Sequence, residues 1–291
     1  MLYAHRVKRF RARGHGLSLS VVEWSGPAPR RTCVLLHGFM DAAESFDRVA
    51  PALADAGLRV LAPDLRGFGD SDRVSGGGYY HFPDYVADVD ALVREHVEGD
   101  FFLVGHSMGG TVATMYAGGR PDRVAKLALL EGLGPPDNEP AAGPLRMHRW
   151  LEELTSPPPA LAMTREDALR RLMAAHPRVP REVLASRLPH LVTPATATGA
   201  ETETVRWRYD PMHRTTSPTP FFASVFRAYA ARVACPLLYV SGGALGWRVP
   251  DEAERLAAFG AKPVHVDIPD AGHMMHWTAA EALARALVEF F

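Results

Sequence analysis

Charge of either sign is not in excess in this chain of 291 residues: 32 lysines and arginines face 33 aspartates and glutamates, a formal net charge of −1. That balance gives no reason to expect nucleic acid or an anionic membrane surface as a partner, because both are held by a surplus of basic residues. Cysteine occurs only twice, at Cys33 and Cys235. Each begins an apolar run that reads as a buried strand, where a thiol is a reduced, inert core residue rather than half of a disulfide or a metal ligand. No apolar stretch is long enough to span a bilayer. The start of the chain, with His5, Arg6, Lys8 and Arg9, carries charge but no hydrophobic segment of the signal-peptide kind, so the expected location is cytoplasmic. Lysine is nearly absent and arginine stands in for it throughout, a bias of the whole chain rather than the mark of one binding face.

What is present is ordinary soluble-protein composition, 47% hydrophobic and 22% charged, in a length that suits one large domain with an insertion. The most informative stretch is Phe101-Phe102-Leu103-Val104-Gly105-His106-Ser107-Met108-Gly109-Gly110. It reads as a strand, a sharp turn and a helix start, with the G-x-S-x-G pattern of a nucleophile elbow. Gly105 and Gly109 are expected there for steric reasons, since strand and helix approach too closely around such a turn to admit a Cβ.

The same alternation of strand and helix runs through much of the chain. Val7 to Arg13 and Leu17 to Trp24 alternate apolar and polar residues about a His15-Gly16 turn, as an antiparallel hairpin does. Unbroken apolar runs at Cys33–Leu36, Leu58–Ala62, Val124–Leu130, Pro236–Val240 and Val264–Ile268 predict strands covered on both faces. Helical spacing fills the intervals: Asp41 as an N-cap before Phe46, Val49 and Leu53; Pro83 opening a helix through Val97; and Asp251 to Phe259, closed by Gly260. A last helix carries capping-box spacing at Thr278 and Glu281. From Pro135 to about Arg232 the strands disappear, prolines cluster and helical patterns such as Arg146–Leu154 and Glu166–Ala175 take over. The predicted architecture is α/β, a mostly parallel, doubly wound sheet built from residues 1–134 and 234–291, with an inserted helical cap over 135–233. Ligands of such sheets gather at the carboxyl ends of the strands, where Ser107, His37-Gly38-Phe39-Met40 and Glu131 all fall.

A serine hydroxyl becomes a useful nucleophile only with a base in hydrogen-bond reach, and thirteen histidines compete for that position. Asp270-Ala271-Gly272-His273-Met274-Met275-His276-Trp277 follows the last strand, where a loop histidine can lean over the elbow. His273 is the first choice and His276 the second; a metal site of His273, His276 and Asp270 is the other reading, although it lacks further ligands at zinc spacing. His106 reads as a packing or orienting residue, and His5, His15, His148, His176, His190 and His213 as surface or cap residues. The oxyanion formed by serine attack needs two backbone donors, for which Met108, just after the nucleophile, and Phe39, in the turn after His37-Gly38, are the candidates.

With His37-Gly38-Phe39-Met40, Asp64-Leu65-Arg66-Gly67-Phe68-Gly69-Asp70-Ser71-Asp72, Gly105-His106-Ser107-Met108-Gly109-Gly110 and Gly272-His273, the chain resembles the α/β-hydrolase-fold superfamily, in its capped, esterase and haloalkane-dehalogenase-like branch. The resemblance covers nearly everything outside the insertion. It implies that the insertion is a helical lid and that no metal or organic cofactor is needed. Dehalogenases and epoxide hydrolases of this fold carry aspartate at the elbow, so Ser107 implies acyl-transfer chemistry. One departure concerns the acid: the family usually places it after the strand matching Pro236–Val240, but Ser241-Gly242-Gly243-Ala244-Leu245-Gly246-Trp247 has no carboxylate. Some relatives carry it after the strand that here ends in Glu131, which makes Glu131 the leading candidate and Asp251 the alternative.

The expected activity is a serine hydrolase cleaving an ester-like small molecule through Ser107, His273 and Glu131. Thioester, lactone or carbon–carbon bond cleavage or acyl transfer on the same residues is the alternative, and a non-catalytic ligand-binding receptor is the rival from another class. From the cap, Met147, Trp150, Trp207 and Phe222, with Phe221 and Phe226, are candidates for the pocket lining or for the cap's own core. Arg146 and Arg149 point toward an acidic substrate, an inference weakened by the arginine bias of the chain.

Overall fold

The computed structural model of the chain describes residues 6–75, 77–195 and 203–291; His5 lies outside them. The alternating N-terminal stretches pair as an antiparallel hairpin, β1 (Arg6–Arg13) with β2 (Ser18–Ser25), turned at Gly16 with a φ of 77° that side-chain-bearing residues rarely adopt. There follow β3 (Arg31–Leu36), a single-turn 3-10 helix (Ala43–Phe46), α1 (Ala50–Asp55) and β4 (Leu58–Pro63). Then come α2 (Phe82–His96), β5 (Phe101–His106), α3 (Met108–Gly119) and β6 (Val124–Leu130). The insertion supplies α4 (Ala142–Thr155), α5 (Arg165–Ala175), α6 (Arg181–Leu191), β7 (Val192–Pro194), β8 (Val205–Trp207) and α7 (Ala223–Ala230). The chain closes with β9 (Leu237–Ser241), α8 (Glu252–Ala257), β10 (Val264–Asp267), α9 (Met275–Thr278) and α10 (Ala280–Phe290).

Eight strands form one sheet in the order β1-β2-β4-β3-β5-β6-β9-β10, antiparallel at the β1, β2 edge and parallel from β4 onward. Every residue of β5 is buried, which is why its sequence is an unbroken apolar run rather than an alternating one. Its side chains still divide by parity. Phe101 and Leu103 enter the core shared with α2, α3 and α7, whereas Phe102 and Val104 enter the one shared with α1 and α10. Burying each such side chain contributes roughly 1.5–3 kcal/mol, so the two cores hold helices on both faces of the sheet.

Four local expectations change. Asp41 does not cap a helix; its carboxylate accepts the Ala42 N–H at 2.9 Å, Ser45 Oγ and His276 Nε2. Asp251 occupies the N-cap position of α8 without a side-chain cap bond, because its carboxylate is drawn instead to the fully buried guanidinium of Arg255, 2.9 Å away. Thr278 and Glu281 form no capping box: Ala279 is the N-cap of α10, and Thr278 Oγ1 donates to the carbonyls of Ala271 and Met274. The insertion is not strand-free either, since β7 and β8 pair as a short antiparallel ribbon.

The insertion leaves the sheet after β6 and returns at β9, two strands that are hydrogen-bonded neighbours, so it stands over the carboxyl ends of the central strands. Its α5 and α6 build a small core with Leu169, Leu172, Leu184 and Leu188, and Met274 and Trp277, at the start of and within α9, complete that core. Ion pairs tie the same part to the sheet domain, Arg187 to Asp47 at 2.6 Å and Arg208 to Asp70 at 2.8 Å. By contrast, α4 has no buried residue.

Candidate active site

Ser107 stands at the junction of β5 and α3 with φ 50° and ψ −116°, a conformation that a non-glycine residue adopts only under constraint. The constraint is steric and local. A Cβ on Gly105 would overlap the Gly109 carbonyl, and one on Gly109 would overlap the carbonyls of Leu36 and His37. The tight turn aims the serine away from the sheet. His273 Nε2 lies 3.0 Å from Ser107 Oγ, and the other ring nitrogen, Nδ1, donates to Glu131 Oε2 at 2.8 Å. Because a carboxylate only accepts, Nδ1 carries the hydrogen and Nε2 is left as the acceptor for the serine proton.

Glu131 directly follows β6 with φ 44°, and its side chain is fully buried. A buried carboxylate needs partners. Two further donors come from the loop that lacks an acid of its own, Gly242 N–H to Oε1 and Trp247 N–H to Oε2, both at 2.7 Å. That loop can close on Glu131 because Gly246 has no side chain; a Cβ there would collide with Oε1. Its three glycines are the sequence signal that the segment serves as a donor rack instead of an acid.

Phe39 and Met108 both border the space beside Ser107, and neither backbone N–H has an acceptor among the described residues. The turn that carries Phe39 is pinned by His37, which is fully buried, accepts the Leu65 N–H through Nε2 at 2.9 Å and donates from Nδ1 to the Gly38 carbonyl. Gly38 packs against His106 and Ser107 so closely that a Cβ would meet the His106 ring. His106 packs against and orients the His273 loop: its Nε2 donates to the His273 carbonyl at 2.9 Å. Burial, and then the neighbouring His276 and His273, push the His106 pKa well below the usual histidine range, so it stays neutral.

His276 does not approach the serine. It is fully buried beside His106, with Nε2 3.1 Å from Asp41 Oδ2. Asp41, His106 and His276 have ligand-type atoms within 4.8 Å of one another. His273 and Asp270 are not part of that group, His273 being engaged by Ser107 and Glu131. Asp251 is not near the imidazole chain in its bonding; it serves Arg255, which also donates to the carbonyls of Leu133 and Pro135.

Ser107, Met108 and Glu131 open into a cavity of about 1080 Å³ between the strand ends and the insertion. Phe222 lines it, as do Phe221 and Phe226. Met147, Trp150 and Trp207 do not. Met147 is 43% exposed on α4, Trp150 meets Tyr79 edge-on, and Trp207 packs on the α5, α6 core and stacks with Tyr209. Helical or aromatic character alone says nothing about which side of the insertion a side chain takes. The largest surprise is His213, expected at the surface. It is buried in the cavity wall, stacked between Phe68 and Tyr80 with ring centroids 4.0 and 3.8 Å away, and hydrogen-bonded to Tyr85 Oη at 2.9 Å. Burial lowers its pKa to about 3.

Residues 32–280 match the family model described as the alpha/beta hydrolase fold. A serine hydrolase-like protein of Danio rerio is 38% identical over 109 residues, 38% of this chain and 33% of that protein. The 3-hydroxybutyrate-oligomer hydrolase of Cupriavidus necator is 29% identical over 269 residues, 86% of this chain and 85% of its own length. Among solved structures, the thioesterase domain from the curacin biosynthetic pathway superposes with a TM-score of 0.83 at 25% identity, covering 98% of this chain and 100% of that one. The first curated relatives, two named serine hydrolase-like, one named probable serine hydrolase and one named epoxide hydrolase, share segments that span about a third of their own length. The matched sequence, the eight-stranded sheet and the elbow together make this chain a member of the α/β-hydrolase fold family.

Proposed function

We propose that this α/β hydrolase is a serine hydrolase that cleaves a carboxylic ester of a small molecule through an acyl-enzyme. The observation that carries the reading is the unbroken chain from Ser107 Oγ to His273 Nε2 and from His273 Nδ1 to Glu131, at 3.0 and 2.8 Å. Ser107 attacks the substrate carbonyl while His273 takes its proton, and Glu131 holds the imidazolium and its orientation. The N–H groups of Phe39 and Met108 receive the oxyanion, a contribution of about 3–4 kcal/mol per donor in comparable sites. His273 then returns its proton to the leaving alcohol, and a water activated by the same imidazole hydrolyses the acyl-enzyme. No step calls for a metal or cofactor, so chelators leave the rate unchanged. The insertion over 135–233 acts as the lid that shapes the substrate's access, and the expected location is cytoplasmic.

Several relatives are named epoxide hydrolases; against that chemistry stands the serine at the elbow, where enzymes of that kind in this fold carry aspartate. A relative that aligns over most of both chains is named for hydrolysis of 3-hydroxybutyrate oligomers, which are esters, and this favours the ester reading. A thioester is the second reading, favoured by the full-length similarity to a thioesterase domain. A fluorophosphonate probe tests the nucleophile, because only a base-activated serine reacts quickly with it. Labelling of the wild type that persists undiminished in Ser107→Ala would end the assignment. Turnover of short-chain aryl esters separates the hydrolase from a receptor that keeps only the pocket.

A further inference from the structure

The cavity that opens on Ser107 has mostly aromatic and proline walls, yet its lining includes one permanently charged cation, Arg146 of α4, among the described residues. The carboxylates of the same wall are all engaged. Glu131 is taken by His273, Gly242 and Trp247; Asp84 accepts the His81 N–H; Asp137 accepts the N–H groups of Asn138 and Ala223. Glu153, about two turns further along the same face of α4, spends its oxygens on Thr216 N–H and Oγ1. Arg146 is held differently. Its Nε donates to the Ser217 carbonyl at 3.0 Å, which fixes the plane of the guanidinium, and no ion pair with an acidic side chain is formed among the described residues. The terminal pair of NH₂ groups remains, a fork that fits the two oxygens of a carboxylate.

We propose that Arg146 is a specificity residue and that the substrate of this hydrolase is an ester bearing a carboxylate remote from the scissile bond. The inference rests on the reading of Ser107 as the nucleophile and deepens it. Polar groups beside Arg146 suit that end of the cavity: Tyr79 Oη shares a hydrogen bond with Thr215 Oγ1 at 2.6 Å, and Thr215, Ser217 and Thr219 continue the wall. The walls toward Phe221, Phe222 and Phe226 suit the apolar stretch that joins the carboxylate to the ester. Arg146 is only partly buried on α4, so its unpaired NH₂ groups can meet an anion without a large desolvation cost, and a charge-assisted fork to a carboxylate is the physical reason to place a charged group on the substrate.

The test compares two pairs of esters. In the first, 4-nitrophenyl hydrogen adipate is set against 4-nitrophenyl hexanoate; in the second, the acetate ester of 6-hydroxyhexanoate is set against hexyl acetate. The carboxylate then sits on the acyl side or on the alcohol side. One pair should show a preference for the anionic member in kcat/KM, and Arg146→Gln should reduce that preference roughly ten- to hundredfold, mainly through KM, as expected for a lost charge-assisted fork. Arg146→Lys, which keeps the charge but not the fork, should retain part of it. Turnover without any preference in either pair, or a preference that survives Arg146→Gln, overturns the proposal. Calorimetric titration of adipate into Ser107→Ala, with and without Arg146→Gln, reads the subsite independently of chemistry. Arg146-dependent adipate binding in a protein that turns over none of the four esters would sustain the anion subsite and sink the hydrolase reading instead.

Discussion

Two histidine–carboxylate pairs stand three residues apart at the start of the last helical segment, and they differ in nearly everything except chemistry. His273 with Glu131 faces the cavity; its side chain is 27% exposed and its second nitrogen meets Ser107. His276 with Asp41 is sealed, with 0% and 2% side-chain exposure, and its second nitrogen has no partner among the described residues. An imidazole bound to a carboxylate is therefore no mark of a catalytic base by itself. What separates the two is a proton to take and a route for substrate to reach it.

The comparison can be broken most sharply by exchanging the losses. His273→Ala should lower kcat by about 10⁴-fold or more, because the serine loses its base while the fold keeps its core. His276→Ala should keep kcat within a few-fold per folded molecule. Steady-state ester hydrolysis decides between them, and the opposite ranking would transfer the base to His276.

The acid partners give the next largest contrast. Glu131→Gln should cut kcat by up to about 10⁴-fold with little change in KM, since an amide can bind Nδ1 in the wrong tautomer and cannot stabilise the imidazolium. Asp251→Asn, the competing carboxylate, should leave kcat intact and lower stability by about 1.5–3 kcal/mol through the weakened bond to buried Arg255. Stability and kinetics measured on both variants separate the roles; losses of only a few-fold in kcat for both would mean a Ser107, His273 dyad.

The sealed pair should show itself in stability. Removing His276 leaves Asp41 ionised and buried, and its carboxyl is held below the usual range by its His276 hydrogen bond in spite of the opposing effect of burial. His276→Ala should therefore cost about 3–5 kcal/mol in denaturant unfolding, the usual penalty for stranding one member of a buried pair. An unchanged midpoint would show that Ala42 and Ser45 alone satisfy Asp41.

The smallest effect sharpens the comparison with a buried histidine that has no side-chain carboxylate. His213 titrates near 6.5 when unfolded and about 3 when folded, so its contribution is fully present above pH 6.5 and is lost as pH falls toward 3. Between pH 6 and 4, His213→Gln should flatten the stability–pH slope by about 1.4 kcal/mol per unit. An identical slope in the two proteins would mean that His213 takes up a proton in the folded state.

Much of this was legible in the sequence. The strands were visible as apolar runs and the elbow as Gly105 and Gly109 around Ser107, because alternation and glycine sterics act over a few residues. Glu131 was reachable as the candidate acid only through the family resemblance, which expects a carboxylate at 241–247, where there is none, or after the strand that leads to Glu131. The lining of the cavity was not legible. Met147, Trp150 and Trp207 point elsewhere, while His213 was drawn inward by Phe68, Tyr80 and Tyr85, residues on other elements of the chain.

The sequence by itself determined that the chain builds a parallel sheet with a strained serine at the end of its central strand. Each of those features is specified by neighbours along the chain. Only the tertiary structure decided which histidine meets the serine across 166 positions, which carboxylate meets that histidine across 142, and that a loop without an acid feeds its N–H groups to Glu131. Local patterns fix conformation; distances of that length are set by how the sheet and insertion pack, and only packing brings such groups within 3 Å of one another.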